Sequence, residues 1–428
     1  MKKRIYLDYA ATIPIKKEAA EKMLPYFSGS FGNPSSIHSF GREARAAIDE
    51  ARREVSKFLK CKPTEILFTS GGTEADNLAI RGVVSAVSRV GLKPHIVTTA
   101  IEHDAVIKTV RDLEKRGLIE ASYIKPQPSG AVLAEDVISA IKDNTILVSV
   151  MYVNNETGVI QPIREIGKKI LEIKKLRMGR KQTGKAKELA KFYSELYFHT
   201  DAAQAAGYLD CYADKLMADL ISLSAHKIGG PKGAGCLYVR AGTKLQPTQT
   251  GGGQEFRMRA GTENVVSIVG FGEAVRADER RKTCLAGRQA KDESVKKLKE
   301  KLIEGTMKKI ADVQVNGDQK ISAPHIVNFS FGCVEGESIL LNLDLAGIAV
   351  STGSACSSGS LEPSHTLLAM GLSVPQTHGS VRFSLGRETT KEEIDYTVKV
   401  LAKVVKRLRD MSVVKACSHK TERVKNNE

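Results

Sequence analysis

Short apolar runs rich in β-branched residues alternate along the chain with longer amphipathic stretches. Segments with helical periodicity, such as residues 36–59 and 104–116, lie between most of these runs. Strands that alternate with helices are typical of a mostly parallel sheet covered by helices on both faces, and such sheets bind ligands at the carboxyl ends of their strands. The pattern therefore predicts an α/β fold whose chemistry lies just after the apolar runs. The runs are at residues 65–69, 95–99, 145–150, 196–200, 220–223 and 235–239.

A Gly-rich stretch at residues 250–262 ends this pattern. A long charged helical segment follows from residue 265 to about residue 306. Further strands and helices then come at residues 325–331, 339–345, 380–384 and 391–408. A change of pattern of this kind suggests a domain boundary. We expect a large domain at residues 15–264 and a smaller α/β domain in which residues 1–14 join residues 265–428.

The composition excludes several classes of protein. The chain has 428 residues, and its longest largely apolar stretch, residues 146–153, is far shorter than the ~18 residues that a membrane span needs. Its seven cysteines include no pair at CxxC spacing, so neither a zinc knuckle nor a disulfide framework is indicated. We therefore expect a globular cytoplasmic protein, whose thiols stay reduced, with no membrane contact and no resident metal.

The chain carries a net charge of +16, and half of that surplus lies in one segment. Residues 164–191 contain eleven lysines and arginines against three glutamates. A solvated basic helical hairpin or loop explains this segment, and so does a binding surface for an acidic partner such as RNA. The sequence leaves both interpretations open for this basic insertion, which we place at about residues 168–192.

A turn of small residues follows the first apolar run. Its sequence, SGGTEADN at residues 70–77, leads into a helical stretch. Paired glycines let backbone amides approach an anion, the helix N-terminus adds partial positive charge, and Thr73 offers a hydroxyl beside Gly72. A phosphate site is therefore one interpretation, and an ordinary strand–turn–helix connection with an N-cap is the other.

Two later strand ends carry an acid and a lysine. Asp201, in HTDAAQ, can cap a helix or pair with a cationic group in the crevice. Lys227 ends SLSAHK, and a partly buried lysine of lowered pKa forms Schiff bases. A glycine turn, an acid and a lysine on one sheet suit pyridoxal 5'-phosphate (PLP). The phosphate would go to the glycine turn, the ring nitrogen to Asp201 and the aldehyde to Lys227.

The second half of the chain adds a thiol and a cation. Cys356 lies in STGSACSSG at residues 351–359, where no bulky neighbour shields it, so it can act as an exposed nucleophile. Arg382, in SVRFSLGR, can clamp a carboxylate with two hydrogen bonds or be a surface cation on a strand. Cys211 and Cys236 lie in or beside apolar runs, so we expect both in the core.

A series of motifs from residue 7 to about residue 401 resembles the cysteine desulfurases of the NifS/IscS type. These are class V enzymes with the fold of PLP-dependent transferases of fold type I. The GSAC form of the cysteine motif is similar to the housekeeping group that serves iron–sulfur assembly and tRNA thiolation. The motifs are LDYAAT, FGNPSSIH, SGGTEADN, NNETG, HTDAAQ, SAHK, GGGQE with MRAGT, GSAC and VRFSLGR.

The resemblance implies a role in cofactor binding for each matching position. Lys227 would carry PLP, His103 would stack on its ring and transfer protons, and Asp201 would pair with the ring nitrogen. Gln204 would bind the ring hydroxyl, and Asn155 would contact both cofactor and substrate. The remaining positions would bind phosphate, with Thr262 reaching the partner subunit's phosphate in a homodimer; they are Gly72, Thr73, Ser224, His226 and Thr262.

The resemblance also implies the reaction. Asn155 and Arg382 would bind the carboxylate of L-cysteine, whose sulfur would pass to Cys356 as a persulfide and leave L-alanine. An iron–sulfur scaffold, another acceptor protein or tRNA would then take the sulfur, and Cys356 would ligate iron–sulfur only during that transfer. One alternative is another fold type I PLP enzyme, such as a selenocysteine lyase or an aminotransferase. The other is a catalytically silent module that binds RNA or a protein partner.

The chain departs from the family in two places. Residues 159–198, between NNETG and HTDAAQ, are longer than we expect for typical members, and the surplus is the basic insertion. In family members the C-terminal segment docks the iron–sulfur scaffold, but the tail from Met411 onward matches no pattern of that kind.

Overall fold

The structure is a computed structural model that describes residues 4–87, 93–179, 195–283, 285–352 and 362–411. Its strands are β1 (Ile5–Tyr6), β2 (Ile66–Thr69), β3 (His95–Thr99), β4 (Glu120–Ile124), β5 (Thr145–Ser149), β6 (Tyr197–Asp201), β7 (Leu220–Ser224), β8 (Gly235–Val239), β9 (Val313–Asn316), β10 (Ile326–Phe331), β11 (Ile348–Ala349) and β12 (Ser380–Ser384).

Its α-helices are α1 (Lys17–Met23), α2 (Pro25–Ser28), α3 (Ser39–Leu59), α4 (Gly72–Val87), α5 (Asp104–Lys115), α6 (Ala134–Ser139), α7 (Ile163–Gly179), α8 (Ala213–Leu216), α9 (Val265–Thr283), α10 (Leu285–Lys309), α11 (Gly336–Leu345), α12 (His365–Ala369), α13 (Val374–His378) and α14 (Lys391–Met411). Short 3-10 turns cover Ala225–Lys227 and Glu255–Arg257, among others. Among the described helices, none combines the length and the hydropathy that a bilayer crossing requires.

A seven-stranded sheet forms the centre of the larger part of the molecule. Its order is β2-β8-β7-β6-β5-β3-β4, and the strands from β7 to β4 run parallel, while β8 is antiparallel to both of its neighbours. The predicted α/β fold with a mostly parallel sheet is therefore confirmed. β4 was not among the predicted strands, because its residues are exposed or half-buried and form no apolar run.

Helices cover both faces of this sheet. In β2 the side chains alternate: Ile66 and Phe68 belong to one buried apolar cluster, and Leu67 belongs to the cluster on the other side. Helices α3, α7 and α9 contribute to the first cluster, and α4 and α5 contribute to the second. The two layers of helices therefore hold the parallel strands in place. The site lies at the carboxyl ends of these strands.

A second, smaller core lies around a three-stranded antiparallel sheet of order β12-β10-β9. Helices α10, α11 and α14 contribute to this core, and β1 joins it by pairing in parallel with β11. Helix α9 packs on α3 and adds Ile268, Phe271 and Val275 to the core of the large sheet, although the predicted small domain would include it. The division at residue 264 stays a prediction.

Part of the basic segment lies on α7, and there it binds its own chain. Lys174 pairs with Asp219, and the Arg177 guanidinium donates to the backbone oxygens of Thr145 and Lys142. Lys174 and Arg177 therefore have partners within the chain, and both interpretations of the basic insertion stay predictions. The rest of the insertion, residues 180–192, lies outside the described residues.

Candidate active site

One cavity of about 300 Å³ opens at the carboxyl ends of the parallel strands. Side chains from the turns after β2, β3, β5, β6 and β7 meet there, as expected for a sheet whose strands end on one edge. Thr262 is exposed and lies outside the lining, and Cys356 lies outside the described residues. The predicted site residues that line the cavity are Gly72, Thr73, His103, Asn155, Asp201, Gln204, Ser224, His226, Lys227 and Arg382.

The glycine turn after β2 delivers the N-terminus of a long helix to the cavity. Helix α4 begins at Gly72, so the amides of Gly72 and Thr73 have no helix carbonyl one turn earlier to bind. The side chain of Ser224, at the end of β7, lies next to this turn, because a Cβ added at Gly72 would be 3.6 Å from Ser224 Cβ. Backbone amides and two hydroxyls, on Thr73 and Ser224, thus form a cradle suited to an anion.

Lys227 ends the short helical turn after β7, and its ammonium reaches the N-terminal segment of the chain. Its Nζ donates to the backbone oxygen of Ala10 and to that of Ala11, the latter at 2.8 Å. Gln204 Nε2 also donates to the Ala10 oxygen, at 2.8 Å. Sequence reasoning gave the segment at Ala10 and Ala11 no role in the site, although the LDYAAT motif that contains it was part of the family signal.

His226 is a neutral neighbour of the lysine. Burial, followed by the charges of Lys227 and Lys232, lowers its pKa to about 4. Its Nδ1 lies 3.2 Å from Thr12 Oγ1, so the N-terminal segment also holds this ring. A neutral imidazole at this place can offer one N–H to an anion.

A pair of acids lines the cavity. Oxygens of Asp76 and Asp201 and a ring nitrogen of His103 lie within 4.8 Å of one another. Asp201 Oδ1 accepts from Ala203 N at 2.9 Å, which is the local turn expected of a capping aspartate, while the residue also lines the cavity. Residues 203–208 form turns and not a helix, so Asp201 does not cap a helix here, and its place in the cavity lining leaves pairing with a cationic group as the interpretation that fits.

Asp76 is a cavity residue that sequence reasoning missed. It is 1% exposed and follows Gly72 by four positions on α4, so both residues lie on the same face of the helix. This spacing could have indicated Asp76, because a residue one helical turn after a glycine that is predicted to bind phosphate faces the same ligand.

Glu102 is a second buried acid beside the site. Its Oε1 accepts from Thr99 Oγ1 at 2.7 Å and from Met151 N at 2.9 Å. Burial raises its pKa to about 8. Glu102 precedes His103, whose Nδ1 accepts from Ala105 N at 3.1 Å and so starts helix α5.

Arg382 reaches the cavity from the small sheet. Its Nη1 donates to the backbone oxygen of Asn155 at 2.8 Å, and its Nη2 donates to Asp8 Oδ1 at 2.9 Å. The side chain is 3% exposed, so the interpretation as a surface strand cation is wrong. Its Nε is buried and has no hydrogen-bond partner among the described residues.

The segment that contains Cys356 leaves and rejoins the described chain beside this cavity. Before it, Ser351 and Arg382 exchange backbone hydrogen bonds of 3.1 and 2.7 Å. After it, Ser364 Oγ donates to Glu156 Oε2 at 2.6 Å, and His365 Nε2 lies 2.9 Å from the backbone oxygen of Glu102. Both flanks are therefore attached to residues that line the cavity or are adjacent in sequence to ones that do.

A mostly parallel sheet with an anion cradle, an acid and a lysine at its strand ends is the arrangement of fold type I PLP enzymes. The family profile named Aminotransferase class-V matches residues 5–178 and 180–397. The chain therefore belongs to the class V aminotransferases and, within them, to the cysteine desulfurases of the NifS/IscS type, as its relatives show.

Those relatives match over nearly their whole length. A protein of Dictyoglomus turgidum named cysteine desulfurase IscS is 46% identical, over 97% of this chain and 98% of its own. A protein of the same name from Methanosarcina thermophila is 43% identical, over 98% and 96%. Among solved structures, a NifS-like protein has a TM-score of 0.82 at 32% identity, covering 95% of this chain and all of its own. A structure titled SspA in complex with cysteine has a TM-score of 0.72 at 33% identity, over 90% and 100%.

Proposed function

We propose that this chain is a PLP-dependent cysteine desulfurase that takes sulfur from L-cysteine onto Cys356 and releases L-alanine. The observation that supports this most is a single cavity that contains Lys227, Asp201 and the turn at Gly72. Both flanks of the segment that carries Cys356 are attached beside it. The names of the relatives from Dictyoglomus turgidum and Methanosarcina thermophila agree with this function.

The lining suits PLP group by group. The start of α4, with the hydroxyls of Thr73 and Ser224 and the neutral ring of His226, suits the phosphate. Asp201 suits a protonated ring nitrogen, the Gln204 amide suits the ring hydroxyl, and the His103 ring suits the face of the pyridine. Lys227 suits the aldehyde. When bound, PLP supplies an electron sink that makes the sulfur of the amino-acid substrate electrophilic.

Arg382 would bind the substrate carboxylate. Asp8 and the Asn155 oxygen already hold two of its nitrogens, which fixes the plane of the guanidinium. Its Nε, buried without a partner among the described residues, remains as a donor for the carboxylate. Asn155 also lines the cavity and would bind the carboxylate together with Arg382.

Lys227 Nζ would move the proton. Its two carbonyl partners, on Ala10 and Ala11, hold the ammonium at the cavity wall. Once deprotonated, Nζ would accept a proton from the substrate Cα and return it, and His103 would serve as a second proton carrier. Asp201 would keep its charge throughout and hold the ring nitrogen in place.

The sulfur step balances without an external oxidant. The thiolate of Cys356 attacks the substrate sulfur, an S–S bond forms, and the Cβ–S bond breaks with its electron pair passing toward Cβ. A proton at Cβ then completes L-alanine, and Cys356 is left as a persulfide. A thiol reductant or a biological acceptor removes the terminal sulfur and restores the thiol for the next turnover.

The remaining parts of the proposal concern partners. We assign the persulfide to an acceptor for iron–sulfur assembly or tRNA thiolation, and the protein to a reducing cytoplasm. A homodimer would bring the exposed Thr262 to the partner subunit's phosphate. An acidic partner, including tRNA, would bind at the basic insertion at about residues 168–192.

The test adds L-cysteine and a thiol reductant to the PLP-loaded protein and measures alanine and sulfide. Equal amounts of both are expected, together with a yellow absorption band. Lys227→Ala should abolish the products and the band, whereas Cys356→Ala should keep the band and lose alanine formation. Cys61→Ala is the matched control: burial raises the pKa of this thiol to about 12, so it is a poor nucleophile and its loss should leave turnover unchanged.

Two outcomes would overturn the proposal. A yellow protein that gives no sulfide would indicate a different PLP reaction. A protein that PLP cannot colour would leave only a binding module.

A further inference from the structure

Asp76 is a buried acid in the cavity wall to which the proposed chemistry gives no part. The residue is 1% exposed, and Asp76 Oδ1 has no hydrogen-bond partner among the described residues. An oxygen of Asp76 and an oxygen of Asp201 lie within 4.8 Å of each other. Two carboxyl groups this close and this buried cannot both be ionised without a large cost, so one of them keeps a proton.

The surroundings decide which acid that is. His199 Nε2 lies 3.5 Å from Asp76 Oδ1, and burial lowers the pKa of His199 to about 3, so this ring is neutral. His199 is held in turn by Ser149 Oγ at 2.8 Å and Ser222 Oγ at 3.0 Å. The His199 ring and these hydroxyls supply no positive charge to Asp76. The His103 ring nitrogen lies within 4.8 Å of both acids, so it does not single out Asp76 for the charged form.

Asp201 is the less enclosed member of the pair. It is 8% exposed and accepts a hydrogen bond from Ala203 N, which favours the carboxylate. Burial raises the pKa of Asp76 well above its usual value, and the charge of Asp201 raises it further, while a hydrogen bond from Ser222 acts in the opposite direction. The titratable groups that face Asp76 from the elements around it are His199 and Asp201 on β6, Glu102 and His103 before α5, and Lys227 after β7.

We propose that Asp76 is a positioning residue that carries the single proton of the Asp76–Asp201 pair at neutral pH and so leaves Asp201 as its anion. The inference rests on the proposed function, since Asp201 is useful as an anion only if a protonated ring nitrogen binds beside it. The ring nitrogen, which brings its own proton, pairs with the negative charge of Asp201. Asp76 keeps its proton when the ring binds. As a neutral acid, Asp76 places no second negative charge beside the Asp201 carboxylate and keeps a polar group in its surroundings.

The direct test is NMR of the full chain with 13Cγ-labelled aspartate, recorded from pH 5 to 9 with and without PLP. The Asp76 resonance, identified by its loss in Asp76→Asn, should lie at the position of a protonated carboxyl at pH 7. The Asp201 resonance, identified by its loss in Asp201→Asn, should lie at the ionised position. In Asp201→Asn the midpoint of Asp76 should fall, because a neighbouring negative charge is gone. An ionised Asp76 at pH 7 would overturn the proposal.

A second measurement separates this role from simple packing. Asp76→Leu keeps the branched shape but puts an apolar group beside the Asp201 carboxylate, which disfavours its charged form, so the dissociation constant for PLP should rise about 10-fold or more. Asp76→Asn keeps a neutral polar group and should restore the affinity to within about 3-fold of the wild type. Equal affinities of the Leu and Asn variants would contradict the proposal.

The outcome of these measurements does not depend on whether the protein has the proposed desulfurase activity. If Asp76→Leu does not fold, the aspartate resonances of the wild type and of Asp201→Asn still decide the question. A protein without desulfurase activity could still show the predicted protonation of Asp76, and an active one could show an ionised Asp76.

Discussion

A buried ion pair holds the Gly-rich stretch in a strained conformation, and its loss should be costly. Glu255, Phe256 and Arg257 have φ values of 44, 57 and 64°, the left-handed region that side chains disfavour. Arg52 on α3 binds Glu255 through two hydrogen bonds of 2.5 and 2.8 Å, and both residues are 3% exposed. Glu255 also accepts from Phe68 N at 2.8 Å, which ties this turn to the edge of the large sheet.

The expected magnitude follows from these contacts. Left-handed backbone costs roughly 1–2 kcal/mol per residue, so the turn stores several kcal/mol that its contacts must offset. Glu255→Gln preserves the shape but leaves Arg52 as a buried cation without its counter-charge, which costs about 3–5 kcal/mol. At ~2.1 cal/mol/K per residue for the whole chain, this corresponds to a fall in Tm of about 3–6 °C if the chain unfolds in one step.

The assay is thermal unfolding of matched Glu→Gln variants by circular dichroism. Glu135 pairs with Lys169 at 2.7 Å on the surface, so Glu135→Gln makes the same chemical change where water replaces the lost partner and should barely move Tm. Adding Arg52→Met to Glu255→Gln removes the orphaned charge and should recover part of the loss. The reasoning is refuted if Glu255→Gln lowers Tm no more than Glu135→Gln does.

Two further variants test the burial around the site. Burial raises the pKa of Glu102 from 4.5 to about 8, so its contribution to stability is complete at low pH and is lost as pH rises through about 8. Glu102→Gln should flatten this decline, by up to about 1.4 kcal/mol per pH unit, in urea unfolding at pH 5 and pH 8; an unchanged slope would count against a neutral Glu102. A Cβ at Gly235 would lie 2.6 Å from the Leu223 oxygen and 2.7 Å from Gly71 Cα, so Gly235→Ala should displace the glycine turn. PLP titration should show weaker binding than in Gly207→Ala, where the nearest atom is 3.6 Å away; equal affinities would contradict this expectation.

The sequence was sufficient for the parts of the fold that depend on local pattern. Each predicted apolar run of the large sheet became a strand, because side chains buried on both faces of a parallel sheet leave a continuous apolar signal. The edge strand Glu120–Ile124 was not predicted, since it is held by backbone pairing with His95–Thr99 and carries exposed and half-buried residues. Edge strands of this kind give little periodic signal.

The same distinction applies to the candidate site. We could predict Lys227, Asp201 and Gly72 because each ends a buried strand or lies in the turn that follows one. The contacts of Ala10 and Ala11 with Lys227 join residues more than two hundred positions apart, and nothing in either local sequence indicates them. The Arg52–Glu255 pair likewise spans 203 positions and depends on the packing of α3 under the Gly-rich stretch.

The charge states around the cavity are a property of the folded molecule alone. Asp76 and Asp201 are both aspartates in motifs of small residues. Asp76 lies near the start of helix α4, and Asp201 ends strand β6. Their environments differ, because Asp76 is enclosed by a neutral imidazole and hydroxyls, whereas Asp201 keeps a backbone donor and more contact with the cavity. Desolvation favours the protonated form of the more enclosed acid, Asp76, and the negative charge of Asp201 favours that form further. A small difference in burial therefore gives the two acids opposite protonation states. An active site that needs one anion beneath a cationic ring can obtain it in this way from two identical acids.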